Sequence, residues 1–130
     1  MKLRLLPGSL SICRLPASDP VPGWVEGSGL SSITRTAGEL SLVVPSDRVP
    51  PGTRAESGWR ALEVEGPIPF TATGVLESLL APLARAGVPV FAVSTFDTDY
   101  VLVGEKDLVR AIASLRAAGH QPDGEPGPTG

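Results

Sequence analysis

Between Trp59 and Gly119 the hydrophobic pattern switches between strand and helix periods, and the order of those switches leaves few folds open. Trp59-Arg60-Ala61-Leu62-Glu63-Val64-Glu65 alternates apolar and charged residues, which predicts a half-buried strand. Gly66-Pro67-Ile68-Pro69 cannot continue it, because proline has no N–H for the ladder. Thr73 then suits a helix cap. Leu76, Leu79, Leu80 and Leu83 recur at helical spacing, and Gly87 is a natural stop. Pro82 removes a bond to the Ser78 carbonyl, so a bend or a place on the outer side of the helix is expected. Val88–Thr95 is nearly all apolar and reads as a strand buried on both faces. Phe96-Asp97-Thr98-Asp99 reads as a polar turn and Tyr100–Val103 as the second strand of a hairpin. Glu105 and Asp107 suit a first helical turn, Leu108, Ile112 and Leu115 mark its buried face, and Gly119 ends it. The order is β-α-β-β-α, one strand short of the ferredoxin-like pattern. No sixth element is expected after Gly119, and 121–130 reads as a disordered tail.

The first half holds a weaker copy. Glu39–Val43 aligns with Asp99–Val103 sixty residues on, and Ser32-Ile33-Thr34 aligns with Ala92-Val93-Ser94 at the same offset. Leu10–Leu15 supplies an opening strand, and the Pro/Gly-rich segment Ala17–Gly29 stands in for the first helix. A chance match of two short hairpins is the alternative. The expected division is 1–58, 59–120 and the tail 121–130. A five-element unit leaves a sheet edge open, so the N-terminal half is expected to supply strands for it, with helices on one side.

Composition removes several function classes. The 130-residue chain has 11 Lys plus Arg against 14 Asp plus Glu, a net charge of −3, and no basic run, so a nucleic-acid partner is not expected. No apolar stretch approaches the roughly 18 residues of a membrane span. Met1–Pro7 is broken by Arg4 and Pro7 and makes a poor signal peptide. One cysteine permits no internal disulfide, which points to a reducing, cytoplasmic compartment. One Cys and one His cannot build a structural zinc site, and no cofactor is expected. Cys13 reads as a small buried hydrophobe and His120 as an exposed surface residue. Trp24 and Trp59 read as covers for the ends of the core, with an interface role as the alternative. Ser94 and Thr95 lack an activating partner and no phosphate loop occurs, so no catalytic constellation is present and no enzyme is expected.

Phe70-Thr71-Ala72-Thr73-Gly74-Val75, followed by Leu83–Val103 with its Ser94-Thr95-Phe96-Asp97-Thr98-Asp99 turn, resembles the tandem ACT-domain family. Within it, the chain is similar to small bacterial ACT-like proteins and the cytosolic arginine sensors of animals. Ser31–Thr36 followed by Glu39–Val43 matches the family's first unit, and the resemblance runs from Leu3 to about Gly119. It implies an α+β fold of two ferredoxin-like βαββαβ units, the first degenerate, with antiparallel sheets and helices on one side. It also implies a non-enzymatic regulatory module with an amino acid held between units and a homodimer that completes the site. By matching position the implied ligand residues are Ala72, Thr73, Gly74 and Val75 in the loop, Pro89 and Val90 on the strand, and Asp99 in the turn. Ala72 stands where the arginine-sensing relatives carry an acid, and Pro89 lacks an N–H, so the resemblance leaves the ligand's identity open.

The residues make chemical sense for a zwitterion. A carboxylate suits the amide donors that open a helix at Thr73-Gly74-Val75, and an ammonium group suits Asp97 or Asp99. Plainer readings stand beside this one: Thr73 as a helix cap, Gly74 as a tight turn, and the two Asp residues bonding their own turn or, with less support, a hard cation. The rival to a ligand-binding module is an interaction module that keeps the fold without a ligand. A small enzyme using Asp97 and Asp99 is a weaker third reading.

Overall fold

Backbone pairing and apolar burial divide the chain into two units, one formed by Gly8–Trp59 and one by Met1–Pro7 with the chain from Arg60 onward. The computed structural model describes residues 1–124. Its strands are β1 (Lys2–Leu5), β2 (Leu10–Leu15), β3 (Ser32–Arg35), β4 (Leu40–Pro45), β5 (Ala55–Val64), β6 (Val90–Ser94), β7 (Asp99–Gly104) and β8 (Gln121–Asp123). The two α-helices among the described residues are α1 (Val75–Arg85) and α2 (Leu108–Ala117). The first seven residues thus depart from the expected 1–58 unit and join the C-terminal one.

In the C-terminal unit the order is β5-α1-β6-β7-α2-β8, the full βαββαβ pattern. The sixth strand lies where no element was expected: Gln121–Asp123 pairs in parallel with β1. Gln121 N–H donates to the Met1 carbonyl at 2.8 Å, and an Arg116 guanidinium N–H donates to the Pro122 carbonyl at 3.3 Å. A three-residue edge strand containing proline has almost no periodicity of its own, so only its partner reveals it. Residues 125–130 of the expected tail lie outside the described residues. β1 is inserted between β8 and β5, and β5 also pairs with β7, giving the order β6-β7-β5-β1-β8. Leu3, Leu62, Val64, Val101 and Val103 meet Leu79 and Leu83 of α1 and Leu108, Ile112 and Leu115 of α2 in one core.

Two expectations change here. Strand β6 has no fully buried residue, with Val90, Phe91 and Val93 partly buried and Ala92 and Ser94 exposed, because among the described residues it pairs only with β7 and so lies at an edge. Pro82 is buried rather than on the outer side of α1. That burial explains His120, which is 9% exposed rather than a surface residue. Pro82 has no N–H for the Ser78 carbonyl, and His120 Nε2 lies 2.9 Å from that oxygen. A carbonyl can only accept, so Nε2 donates, and Nδ1 of the neutral ring accepts from the Met1 ammonium at 3.1 Å. One imidazole thereby holds α1, the start of β8 and the N-terminus together.

The N-terminal unit repeats the order with its helices reduced to single 3-10 turns: β2, a turn at Gly23–Val25, β3, β4, a turn at Ser46–Arg48, then the first half of β5. Its core is small: Cys13, Val25, Leu40, Leu42 and Val44, with Trp24 against them. The Arg48 guanidinium donates to the carbonyls of Val25 and Ser28, which ties one turn to the other.

The hairpin repeat is real, but its register differs from the expected sixty. Arg35 pairs with Leu40 across β3–β4, and Ser94 pairs with Asp99 across β6–β7, 59 residues on. Both turns close the same way, Thr36 N to Glu39 O at 2.9 Å and Thr95 N to Thr98 O at 2.8 Å. Matching the acids Glu39 and Asp99 shifted the alignment by one residue, and a one-residue shift exchanges the two faces of a strand.

Replacing His120 with Ala should cost about 1–3 kcal/mol, the range for leaving a buried polar group unsatisfied. In a Pro82→Ala background the cost should shrink, because residue 82 then offers Ser78 its helical N–H. Urea unfolding of the four chains checks this, and equal costs in both backgrounds would refute the link.

Candidate functional site

The loop between β5 and α1 and the tip of the β6–β7 hairpin are built against each other. Ile68 N–H donates to the Asp97 carbonyl at 2.7 Å. The Thr98 hydroxyl, buried, donates to the Val64 carbonyl at 2.6 Å. Gly66 fits closely here: a Cβ at that position would lie 3.1 Å from both the Asp97 carbonyl oxygen and Thr98 Cβ. The Phe70 and Phe96 rings meet edge to face with centroids 4.8 Å apart. They are 75% and 78% exposed, so this pair packs on itself rather than into the core.

Helix α1 begins beyond this junction. Gly74, not Thr73, is its N-cap, with φ at 74° in the left-handed region that favours glycine. No side chain caps the helix, so its first-turn amides carry the positive end of the dipole without a side-chain oxygen. Ala72, Thr73 and Gly74 are exposed and Val75 is partly buried. On the hairpin, Asp97 is exposed. Asp99 is half-buried, and its Oδ1 accepts the Ser94 hydroxyl at 2.7 Å. The loop and the two acids therefore share one end of the unit.

Pro89 and Val90 do not join them. They stand where β6 begins, four residues from Ser94 and so roughly 13 Å along the strand from the hairpin tip. Sequence reasoning also missed Phe70, Phe96 and Ser94 as members of this surface. A phenylalanine in the middle of an otherwise polar turn was the available signal for Phe96. At the 59-residue register the N-terminal hairpin carries Arg35, Ala37, Gly38 and Leu40 at the positions of Ser94, Phe96, Asp97 and Asp99. The acids and the aromatic ring thus belong to one unit only.

Tyr100, next along β7, donates its hydroxyl to Glu63 Oε2 at 2.8 Å. Burial first, then the hydrogen bond and charge of Glu63, push its phenol up from the ordinary value. Burial likewise pushes the Cys13 thiol up, which keeps it inert. No group of three or more His, Cys, Asp or Glu among the described residues could hold a metal ion.

A family model described as the ACT domain matches residues 54–117, and a second, for an N-terminal domain, matches residues 8–52. Human CASTOR3P is 30% identical over 123 residues, covering 74% of this chain and 76% of that protein. The chain belongs to the ACT-domain family. The bovine cytosolic arginine sensor for mTORC1 subunit 1 is 36% identical over 95 residues, covering 65% of this chain and 29% of the sensor. This ACT chain therefore spans less than a third of the arginine sensors it matches. The crystal structure of Atu0741 from Agobacterium tumefaciens is 44% identical with a TM-score of 0.90, covering 95% of this chain and 92% of that one. The regulatory subunit of aspartate kinase from Thermus flavus shares the fold at a TM-score of 0.64 and 11% identity, covering 90% of this chain and 96% of that one. The mixed α+β, ferredoxin-like architecture is thus common to the ACT chain and these structures. No helix of the described residues is long and apolar enough to cross a membrane.

The protein has a single tyrosine, so absorbance at 295 nm reports Tyr100 alone. Glu63→Gln removes a charge that opposes ionisation and should lower the titration midpoint. Arg4→Ala removes a charge that favours ionisation and should raise it. A raised folded-state value favours the neutral phenol. This contribution to stability is therefore complete below the ordinary tyrosine value and is lost as pH rises through the raised one.

Proposed function

We propose that this ACT chain is a regulatory module that binds an amino acid and performs no chemistry of its own. The observation that carries the reading is the Ile68–Asp97 bond, which sets the uncapped start of α1 and the Asp97 and Asp99 carboxylates at one end of the C-terminal unit. A ligand carboxylate would meet the amides at Thr73-Gly74-Val75, and a ligand ammonium would meet Asp99, whose second oxygen remains beside the Ser94 bond. The exposure of Ala72, Thr73 and Gly74 leaves the site open on one side. The cytosolic arginine sensors and the aspartate kinase regulatory subunit among its relatives support a regulatory role rather than a catalytic one.

A second reading has an observation in its favour. The exposed Phe70–Phe96 pair suits a protein-interaction module that keeps the fold without a ligand. Thermal unfolding in the presence of each common amino acid separates the two. A true ligand at a hundredfold excess over its Kd stabilises the fold by about 2.7 kcal/mol. Asp99→Ala should abolish that response while the far-ultraviolet dichroism stays unchanged. A flat melting temperature across all amino acids leaves only the interaction module.

A further inference from the structure

The sheet of the C-terminal unit has two unlike faces. Leu3, Leu62 and Val64 point to the helices. The alternate residues point the other way and line a cavity of about 700 Å³: Lys2 and Arg4 on β1, Glu63 on β5 with Glu65 just past its end, Gln121 and Asp123 on β8. All are exposed except Glu63, which is partly covered and fixed by Tyr100 and by an Arg4 ion pair at 3.4 Å.

The register makes this face a pair of charged rows. Arg4 pairs with Glu63 across β1–β5, and Glu65 N–H donates to the Lys2 carbonyl at 3.0 Å, so Lys2 stands opposite Glu65. A basic row thus runs beside an acidic row at one strand spacing, about 4.8 Å. A ligand of one sign laid across both rows is attracted by one and repelled by the other. A surface with the rows exchanged is attracted by both.

We propose that this face is a self-docking surface, on which a second copy of the chain seats the same face through reciprocal ion pairs. Consider a twofold axis lying between the two sheets, parallel to the strands and above the line between β1 and β5. It places each copy's β1 over the other's β5 at unchanged height along the strand. Arg4 of each copy then faces Glu63 of the other, and Lys2 faces Glu65, with every pair made twice. The contact is isologous and closes at two copies. Packed sheets stand about 10 Å apart, and the cavity gives the partner's long Lys2 and Arg4 side chains room between them. The surface is independent of the amino-acid reading, since none of its residues belongs to that site.

Sedimentation velocity tests it with Lys2→Glu and Glu65→Lys, two exposed positions. Each variant alone places like charges face to face and should be monomeric where the native chain is a dimer. In an equimolar mixture, the acid now at position 2 of one copy faces the base now at position 65 of the other. Lys2 and Glu65, each native in its own copy, face one another as before, so the dimer should return. Molar salt should weaken the native dimer roughly tenfold or more. The uncharged pair Lys2→Gln with Glu65→Gln gives a second route, weakening association without repulsion, and dichroism checks that each variant is folded. A native chain that is monomeric at low salt, a dimer indifferent to both reversals, or a mixture that stays monomeric would each overturn the proposal.

Discussion

The contact between the hairpin tip and the end of β5 is the constraint on which the candidate site depends. The Thr98 hydroxyl is spent inside the protein on the Val64 carbonyl, and the Asp97 carbonyl is spent on Ile68 N–H. Both bonds are short, and the fit at Gly66 is close enough that a larger residue would have to push the Asp97 carbonyl and Thr98 by a few tenths of an ångström. The two bonds anchor the Pro-rich connection after β5 to the hairpin tip. Beyond that anchor α1 starts with Gly74 in a conformation a Thr would adopt only with strain. The same contact leaves the Asp97 side chain, Phe70 and Phe96 outside, where they meet solvent or a partner.

The two units show one topology supported by different amounts of core. In the C-terminal unit, helices α1 and α2 bury a full apolar stripe against the sheet. In the N-terminal unit the connections are single 3-10 turns, too short to present such a stripe, and Trp24 and Val25 do the covering. The strands survive because a hairpin needs only its turn and its buried face. The helices do not survive, because Ala17–Gly29 has neither periodicity nor enough residues free of Pro and Gly. Loss of the acids and the aromatic residue from the N-terminal hairpin fits the same picture. Leu40, fully buried there, fills with core the position that Asp99 holds in the C-terminal hairpin.

Pro82 and His120 illustrate how a local defect is repaired at long range. Proline within a helix orphans a carbonyl, and a buried orphan is costly. The repair comes from residue 120, brought in by the strand β8 that no local signal announces. Chain-end residues and an interior helix thereby become parts of one hydrogen-bonded cluster.

Much of this was legible in the chain itself. Alternation at Arg60–Val64, the leucine spacing of α1, the apolar face of α2 and the Thr-containing hairpin turns all follow from period and turn chemistry, which act over a few residues. The motif around Ser94–Asp99 was enough to indicate the family. Only the tertiary structure decided the rest: the insertion of β1 between β5 and β8, the 59-residue register, the burial of His120, and the separation of Pro89 and Val90 from the loop. Each of these depends on which strand lies beside which, and strand pairing is set by long-range hydrogen bonds and shared burial that leave no period in the sequence.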